Sequence, residues 1–147
     1  MKKIILTFTL VLLLLTSCSD NKPSENQVKE DLSEIITTGT SNSVVLENFE
    51  KTDGLSKKEN DISMYIMFFK GKVKFVKEVY SKITIPTSTI TGKAGFLDVK
   101  ETAPIDSRIY TLIKENEIYE IKGKMEYLRT EKEWKINNFT IEPITNK

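Results

Sequence analysis

Two segments of the chain carry apolar residues at every second position, and they constrain the fold more than any other feature. In the first, odd-numbered positions are apolar from Tyr65 to Phe75, except for Gly71. In the second, odd-numbered positions are apolar from Tyr119 to Tyr127, except for Gly123. The even positions of this second segment, 120 to 126, are all charged. A period of two is typical of a strand with one buried and one solvated face. The chain is therefore expected to build a half-buried antiparallel sheet.

The first segment predicts one long strand over residues 62–83, with a bend or bulge at Gly71. A hairpin that turns at Lys70 and Gly71 is the alternative. The continuous strand is favoured because the alternation keeps its phase across the glycine.

The second segment predicts a strand over residues 118–128, which follows a short strand at 109–114 and a turn at 115–117. After a further turn at 130–133, apolar residues occupy even positions up to Ile136 and odd positions from Phe139. One extra residue at Asn137 or Asn138 would explain this change of phase, so a β-bulge is expected there.

The N-terminal half predicts one helix and one strand. The helix begins after Pro23, with Ser24 as its cap and Gln27 at the capping-box position, and Gly39 ends it. Its apolar stripe consists of Val28, Leu32, Ile35 and Ile36. Residues 43–51 are expected to form a strand with Val45 and Phe49 on one face. A turn at 52–54 and an exposed polar stretch at 55–60 follow.

One helix followed by five to six antiparallel strands predicts an α+β fold, in which the helix packs on a curved sheet. This order resembles the cystatin/NTF2-like class. Small bacterial lipoproteins of Bacteroidota type are similar to this chain over about 90 residues, counted from the first to the last matching stretch. The matching stretches are residues 49–54, 65–69, 120–127 and 130–135. The resemblance implies a fold and a location, and it carries no activity to individual residues.

Residues 1–18 resemble the signal peptide and lipobox of bacterial lipoproteins. Lys2 and Lys3 precede an apolar run, and the sequence Leu-Thr-Ser-Cys closes it at Cys18. The run is shorter than the ~20 apolar residues of a spanning helix. We therefore expect a signal peptide at residues 1–17, a lipidated Cys18 with a tether at 18–23, and a single domain at 24–147. Ser19, directly after the cysteine, resembles the residue found there in outer-membrane lipoproteins. We therefore expect the protein to lie in the cell envelope, anchored by lipid to the outer membrane.

The composition excludes several chemistries. The chain has no histidine and Cys18 is its only cysteine, which excludes His-dependent catalysis, His-ligated metals and a disulfide within the chain. Its 22 basic and 21 acidic residues nearly balance, so nucleic-acid binding is not expected. No spacing of a P-loop, calcium site or metal centre occurs. No cofactor is therefore expected.

Six aromatic or apolar residues are candidates for a partner surface or a pocket. Tyr65, Tyr119, Tyr127 and Trp134 mostly share the inward phase, so they form either the core or the lining of a concave pocket. Phe96 and Leu97 lie in a glycine-bearing stretch. They are either a tip that inserts into a partner or a cover for the end of the sheet.

The sequence thus predicts a non-catalytic, membrane-anchored lipoprotein that binds an unidentified envelope protein or ligand as an inhibitor-like or accessory module. The alternative is an NTF2-like small-ligand carrier or enzyme with an internal aromatic pocket.

Overall fold

The computed structural model describes residues 22–81, 90–91, 99–105 and 107–144. These residues form an α+β fold in which one helix packs against an antiparallel sheet. The predicted signal peptide, the lipidation site Cys18 and the pair Phe96 and Leu97 lie outside the described residues.

The helix, α1, spans Glu25–Gly39 and begins as the sequence predicts. The Ser24 hydroxyl accepts a hydrogen bond from the Gln27 backbone N–H at 3.1 Å. The Gln27 side chain does not complete a capping box but donates to the Trp134 carbonyl at 2.9 Å. Gly39 is the last helical residue, and Thr40 closes the end by donating from its hydroxyl to the Ile36 carbonyl at 2.8 Å.

The described strands fall into two antiparallel sheets. The strands are β1 Val44–Glu59, β2 Ile62–Phe75, β3 Val79–Ser81, β4 Ile90–Thr91, β5 Val99–Lys100, β6 Thr111–Ile113, β7 Ile118–Arg129 and β8 Trp134–Ile144. The five-stranded sheet has the order β1-β2-β7-β8-β4, and the three-stranded sheet has the order β5-β3-β6. A short 3-10 helix, Ser107–Ile109, precedes β6.

Strand β2 runs without interruption through Gly71, so the hairpin alternative is wrong. Gly71 pairs with Phe49 on one side and Ile121 on the other, with no change of register at that point. The strand is shorter than predicted: it ends at Phe75, and the next strand, β3, belongs to the other sheet. The alternation of residues 65–79 therefore spans two strands.

Strand β1 departs from the prediction in two ways. Its register shifts between Leu46 and Asn48, so Leu46 and Phe49 pack on the core while Val45 does not. The expected pairing of Val45 with Phe49 on one face is wrong because a bulge lies between them. Residues 52–54 are not a turn but continue β1 with a second register shift, and the chain reverses only at Asn60 and Asp61. Both of these have positive φ, 47° and 64°, as a tight two-residue hairpin turn requires.

The predicted bulge in β8 is confirmed. Glu126 pairs with Asn138 and Tyr127 pairs with Ile136, which leaves Asn137 without a partner in the ladder. Trp134 and Phe139 consequently both face inward although their positions differ in parity.

The core lies between α1 and the inner face of the five-stranded sheet. The helix contributes Val28, Leu32 and Ile36, each fully buried, and Ile35 packs at the margin. The sheet contributes the inward residues of its long strands. These are Val44, Tyr65, Met67, Phe69, Val73, Phe75, Ile121, Met125, Tyr127, Trp134, Phe139 and Ile141.

Candidate binding surface

The predicted aromatic residues lie in or beside the core. Tyr65, Tyr127 and Trp134 are 4%, 0% and 7% exposed. The Tyr65 and Trp134 rings meet edge to face with 6.4 Å between their centroids. Tyr119 is half-buried and its hydroxyl donates to Glu117 Oε2 at 2.8 Å. The structure thus brings Tyr65 and Trp134 together. Tyr65, Tyr127 and Trp134 are part of the hydrophobic core, and Tyr119 packs against it.

The carboxylate of Asp31 on α1 is tied to this core. The buried Tyr127 hydroxyl donates to Asp31 Oδ2 at 2.8 Å. Burial raises the pKa of Asp31 above its ordinary 3.8, against the lowering effect of this hydrogen bond, and Glu34 and Glu30 add repulsion. Burial and the neighbouring Asp31 also raise the pKa of Tyr127. The sequence signal was available, because Asp31 lies three residues after Val28 and four before Ile35, at the edge of the apolar stripe.

The other face of the five-stranded sheet points away from α1 and carries two chemically distinct halves. Register pairing aligns its residues in rows across β1, β2, β7 and β8. One central row reads Glu50, Lys70, Lys122 and Glu142. The next row toward the hairpin of β1 and β2 reads Asp53, Phe68, Lys124 and Thr140.

The half of this outer face nearest the β1–β2 hairpin is apolar. We call it the outer apolar patch, and it consists of Leu55, Ile62, Met64, Ile66, Phe68 and Leu128. Leu55, Ile62 and Phe68 are 54%, 49% and 37% exposed, and the other three are half-buried. Leu55 pairs with Ile66, and Met64 pairs with Leu128, so the patch is continuous across three strands.

Sequence reasoning missed this patch although its signal is visible. Residues 62, 64, 66 and 68 are apolar, and so are the odd positions 65, 67 and 69 between and after them. A strand that is apolar on both faces is normally covered on both. In β2 the helix side is buried, whereas on the outer side Ile62 and Phe68 are exposed and Met64 and Ile66 are half-buried.

The other half of the outer face is charged, and its lysines stand beside glutamates of the neighbouring strands. Lys70 lies directly opposite Lys122 in the β2–β7 ladder, with Lys72 and Lys124 two residues along their strands. Lys122 pairs with Glu142 at 3.2 Å, and Lys124 pairs with Glu126 at 2.7 Å. Among the residues that the structure describes, Lys70 forms no ion pair.

An open groove of about 460 Å³ runs where the two halves meet. A smaller groove of about 140 Å³ adjoins it on the far side of Lys70, between β1 and β7. The larger one is lined by Thr52, Phe68, Phe69, Lys70, Lys122, Gly123, Lys124, Thr140 and Glu142. Neither groove is lined by Tyr65, Tyr119, Tyr127 or Trp134.

The helix N-terminus and the outer apolar patch lie at the same end of the sheet. Gln27 contacts the Trp134 carbonyl. Trp134 pairs with Arg129, one residue beyond Leu128 in β7. The N-terminus of α1 therefore lies at the same end of the sheet as this patch, on the opposite face.

The described residues hold neither a metal-binding cluster nor a membrane-spanning helix. No group of three or more Cys, Asp and Glu side chains within ranges 22–81, 90–91, 99–105 and 107–144 could hold a metal ion. The one α-helix of that part of the chain is neither long nor apolar enough to cross a membrane. In comparisons with known proteins, no family model, curated protein or solved structure matches the chain.

Proposed function

We propose that this chain is a lipid-anchored, non-catalytic protein of the bacterial cell envelope that binds a partner protein through its outer apolar patch. The observation that carries the proposal is the composition of β2 from Met64 to Phe69, which is apolar on both faces. The helix covers one face, and the other is exposed in the described part of the chain.

The exposed patch has the character of a protein interface. Contiguous exposed apolar side chains are uncommon on soluble proteins except where a partner covers them. Leu55, Ile66 and Phe68 form the apolar centre, and charged side chains such as Asp53 and Lys57 surround it. An apolar centre with a polar rim is the usual organisation of a specific interface.

The predicted anchor is compatible with this surface. Residues 19–24 separate Cys18 from the first residue of α1. Fully extended, they would reach roughly 20 Å. The outer apolar patch would then stand close to the membrane, where a neighbouring envelope protein can meet it.

The positions of the aromatic residues also favour a surface over an internal site. The alternative function, a small-ligand carrier or enzyme, needs Tyr65, Tyr127 or Trp134 to border a cavity. These side chains are buried among other core residues. The proposed binding mode therefore uses the exposed face of the sheet.

Site-specific photocrosslinking in living cells tests the proposal. The full-length protein would carry p-benzoylphenylalanine in place of Ile66, and a matched version would carry it in place of Lys29 on the exposed side of α1. We expect one discrete crosslinked protein from the Ile66 position and none from the Lys29 position. Crosslinks only to lipid, or the same products from both positions, would overturn the proposal.

A further inference from the structure

We infer that the partner segment is acidic as well as apolar: it places an apolar side chain against Phe68 and carboxylates among Lys70, Lys122 and Lys124. This inference rests on the proposed function, because it concerns the same outer face. It adds the chemistry of the segment that binds there and its orientation.

Lys70 has unlike neighbours on its two sides in the sheet. Glu50 lies opposite it in the β1–β2 ladder without forming an ion pair, and Lys122 lies opposite it in the β2–β7 ladder, where two like charges repel each other. Glu142 neutralises Lys122 at 3.2 Å, whereas Lys70 has no ion pair among the described residues. A carboxylate placed over this pair would contact both cations and remove their repulsion.

The groove supplies the apolar contact beside these cations. Phe68 is 37% exposed and borders the groove between Lys70 and Lys124. The lining of the groove includes three lysines and one acidic residue, Glu142. A ligand with one apolar side chain and neighbouring carboxylates would match both features, whereas a simple inorganic anion would leave Phe68 uncovered.

The position of the anchor orients the partner. The outer apolar patch lies at the end of the sheet where α1 begins, and the lysines lie farther along β2 and β7. The apolar part of the partner segment would therefore be nearer to the membrane, and its acidic part farther from it.

A binding experiment with a defined probe tests the inference. Full-length protein purified in a neutral detergent would be titrated into a fluorescein-labelled synthetic peptide of leucine and glutamate, with fluorescence anisotropy as the readout. A second peptide would carry glutamine in place of every glutamate. The double variant Lys70→Glu/Lys122→Glu would be compared with Lys29→Glu/Lys114→Glu, which carries the same charge change on exposed residues elsewhere.

We expect the wild type to bind the glutamate peptide and to bind the glutamine peptide much more weakly. Reversal of two lysines should weaken binding by about tenfold, or about 1.4 kcal/mol, because it removes two exposed ion pairs with the peptide. The control double variant should bind as the wild type does, and added salt should reduce the difference between the two peptides. Circular dichroism would confirm that both variants are folded.

Any one of three binding results would overturn the inference: equal binding of both peptides, an equal loss in the control variant, or no binding by the wild type. If one of these occurs while the Ile66 crosslink to a protein persists, the proposed function stands and only the acidic chemistry is wrong. If the Ile66 crosslink fails as well, the surface itself is wrong. Self-association of the full-length protein through the same face would also overturn the inference.

Discussion

At the residue scale, the hydrogen bond between Tyr127 and Asp31 shows how a single polar contact can join the helix to the sheet. The two residues are far apart in sequence, and the bond fixes α1 over β7 at one end of the core. Tyr127 is fully buried, so its hydroxyl needs a partner, and Asp31 lies at the edge of the apolar stripe where it can provide one.

Replacing Tyr127 with Phe tests the strength of this contact. Tyr127→Phe keeps the ring but removes the donor to Asp31. Because Asp31 is only partly buried and can still reach water, the free energy of unfolding should fall by about 1 kcal/mol. Urea denaturation of the full chain measures it, with Tyr80→Phe on a half-buried residue of the other sheet as the control. An unchanged stability would show that the bond adds nothing to the fold.

The raised pKa of Asp31 predicts a pH dependence with a definite sign. Because its pKa in the folded chain lies above the ordinary 3.8, the folded state retains this proton to higher pH than the unfolded state. Stability from this group is therefore highest below pH 3.8, and it is lost as the pH rises through the folded pKa. Asp31→Asn has no proton to lose at this position. Its free energy of unfolding, relative to wild type, should thus increase as the pH rises from below 3.8 to neutrality.

Denaturation curves of the two proteins at several pH values provide this measurement. Glu47→Gln, at an exposed position on β1, controls for the general effect of removing one negative charge. A constant difference between Asp31→Asn and wild type, or a difference that decreases with pH, would contradict the assigned pKa shift.

At the scale of elements, the bulge in β8 was predictable whereas those in β1 were not. In β8, the apolar residues Trp134, Ile136 and Phe139 show the change of phase directly. In β1, Val44, Val45 and Leu46 are all apolar, so no phase can be read before the bulge. The residues of β1 after Lys51 are exposed on both faces. The sequence therefore has no apolar alternation there that would indicate the continuation of the strand or its second register shift.

Deletion of Asn137 tests the bulge assignment. Removing the unpaired residue would leave Ile136 opposite Tyr127 and Asn138 opposite Glu126, so every inward side chain would remain inward. We expect the variant to stay folded and to lose no more than about 1–2 kcal/mol. Thermal and urea unfolding provide the measurement.

Deletion of Lys135 is the matched comparison, since it removes an exposed residue from the ladder of the same strand. That change would turn Trp134 toward the outer face, and it should cost about 3–5 kcal/mol or prevent folding. If both deletions proved equally harmful, Asn137 would not be an extra residue in the ladder.

At the scale of the whole molecule, the sequence predicted the side of the sheet that is buried but not the use of the other side. The alternation in β2 and β7 identified the inner face because a buried face demands apolar residues at every second position. The outer face has no such requirement, and its apolar half depends on residues from three strands, including Leu55 and Leu128, that only the register brings together. The rows of charge around Lys70 likewise follow from pairing between strands and not from sequence spacing.

The outer apolar patch and the proposed anchor should act together. Each buried methylene of an acyl chain adds about 0.8 kcal/mol to membrane attachment, so two or more chains on Cys18 would hold the domain at the bilayer. Cys18→Ala should abolish incorporation of a labelled fatty acid in cells and leave an unprocessed or unattached protein. It should also greatly reduce the crosslink from Ile66, because the outer apolar patch would no longer be confined beside its partner in the membrane.

Asn21→Ala changes the tether without touching the cysteine, so it serves as the control and should retain both the label and the crosslink. A Cys18→Ala protein that still incorporates fatty acid would disprove the anchor, whereas a crosslink of unchanged yield would show that the surface binds its partner without help from the membrane.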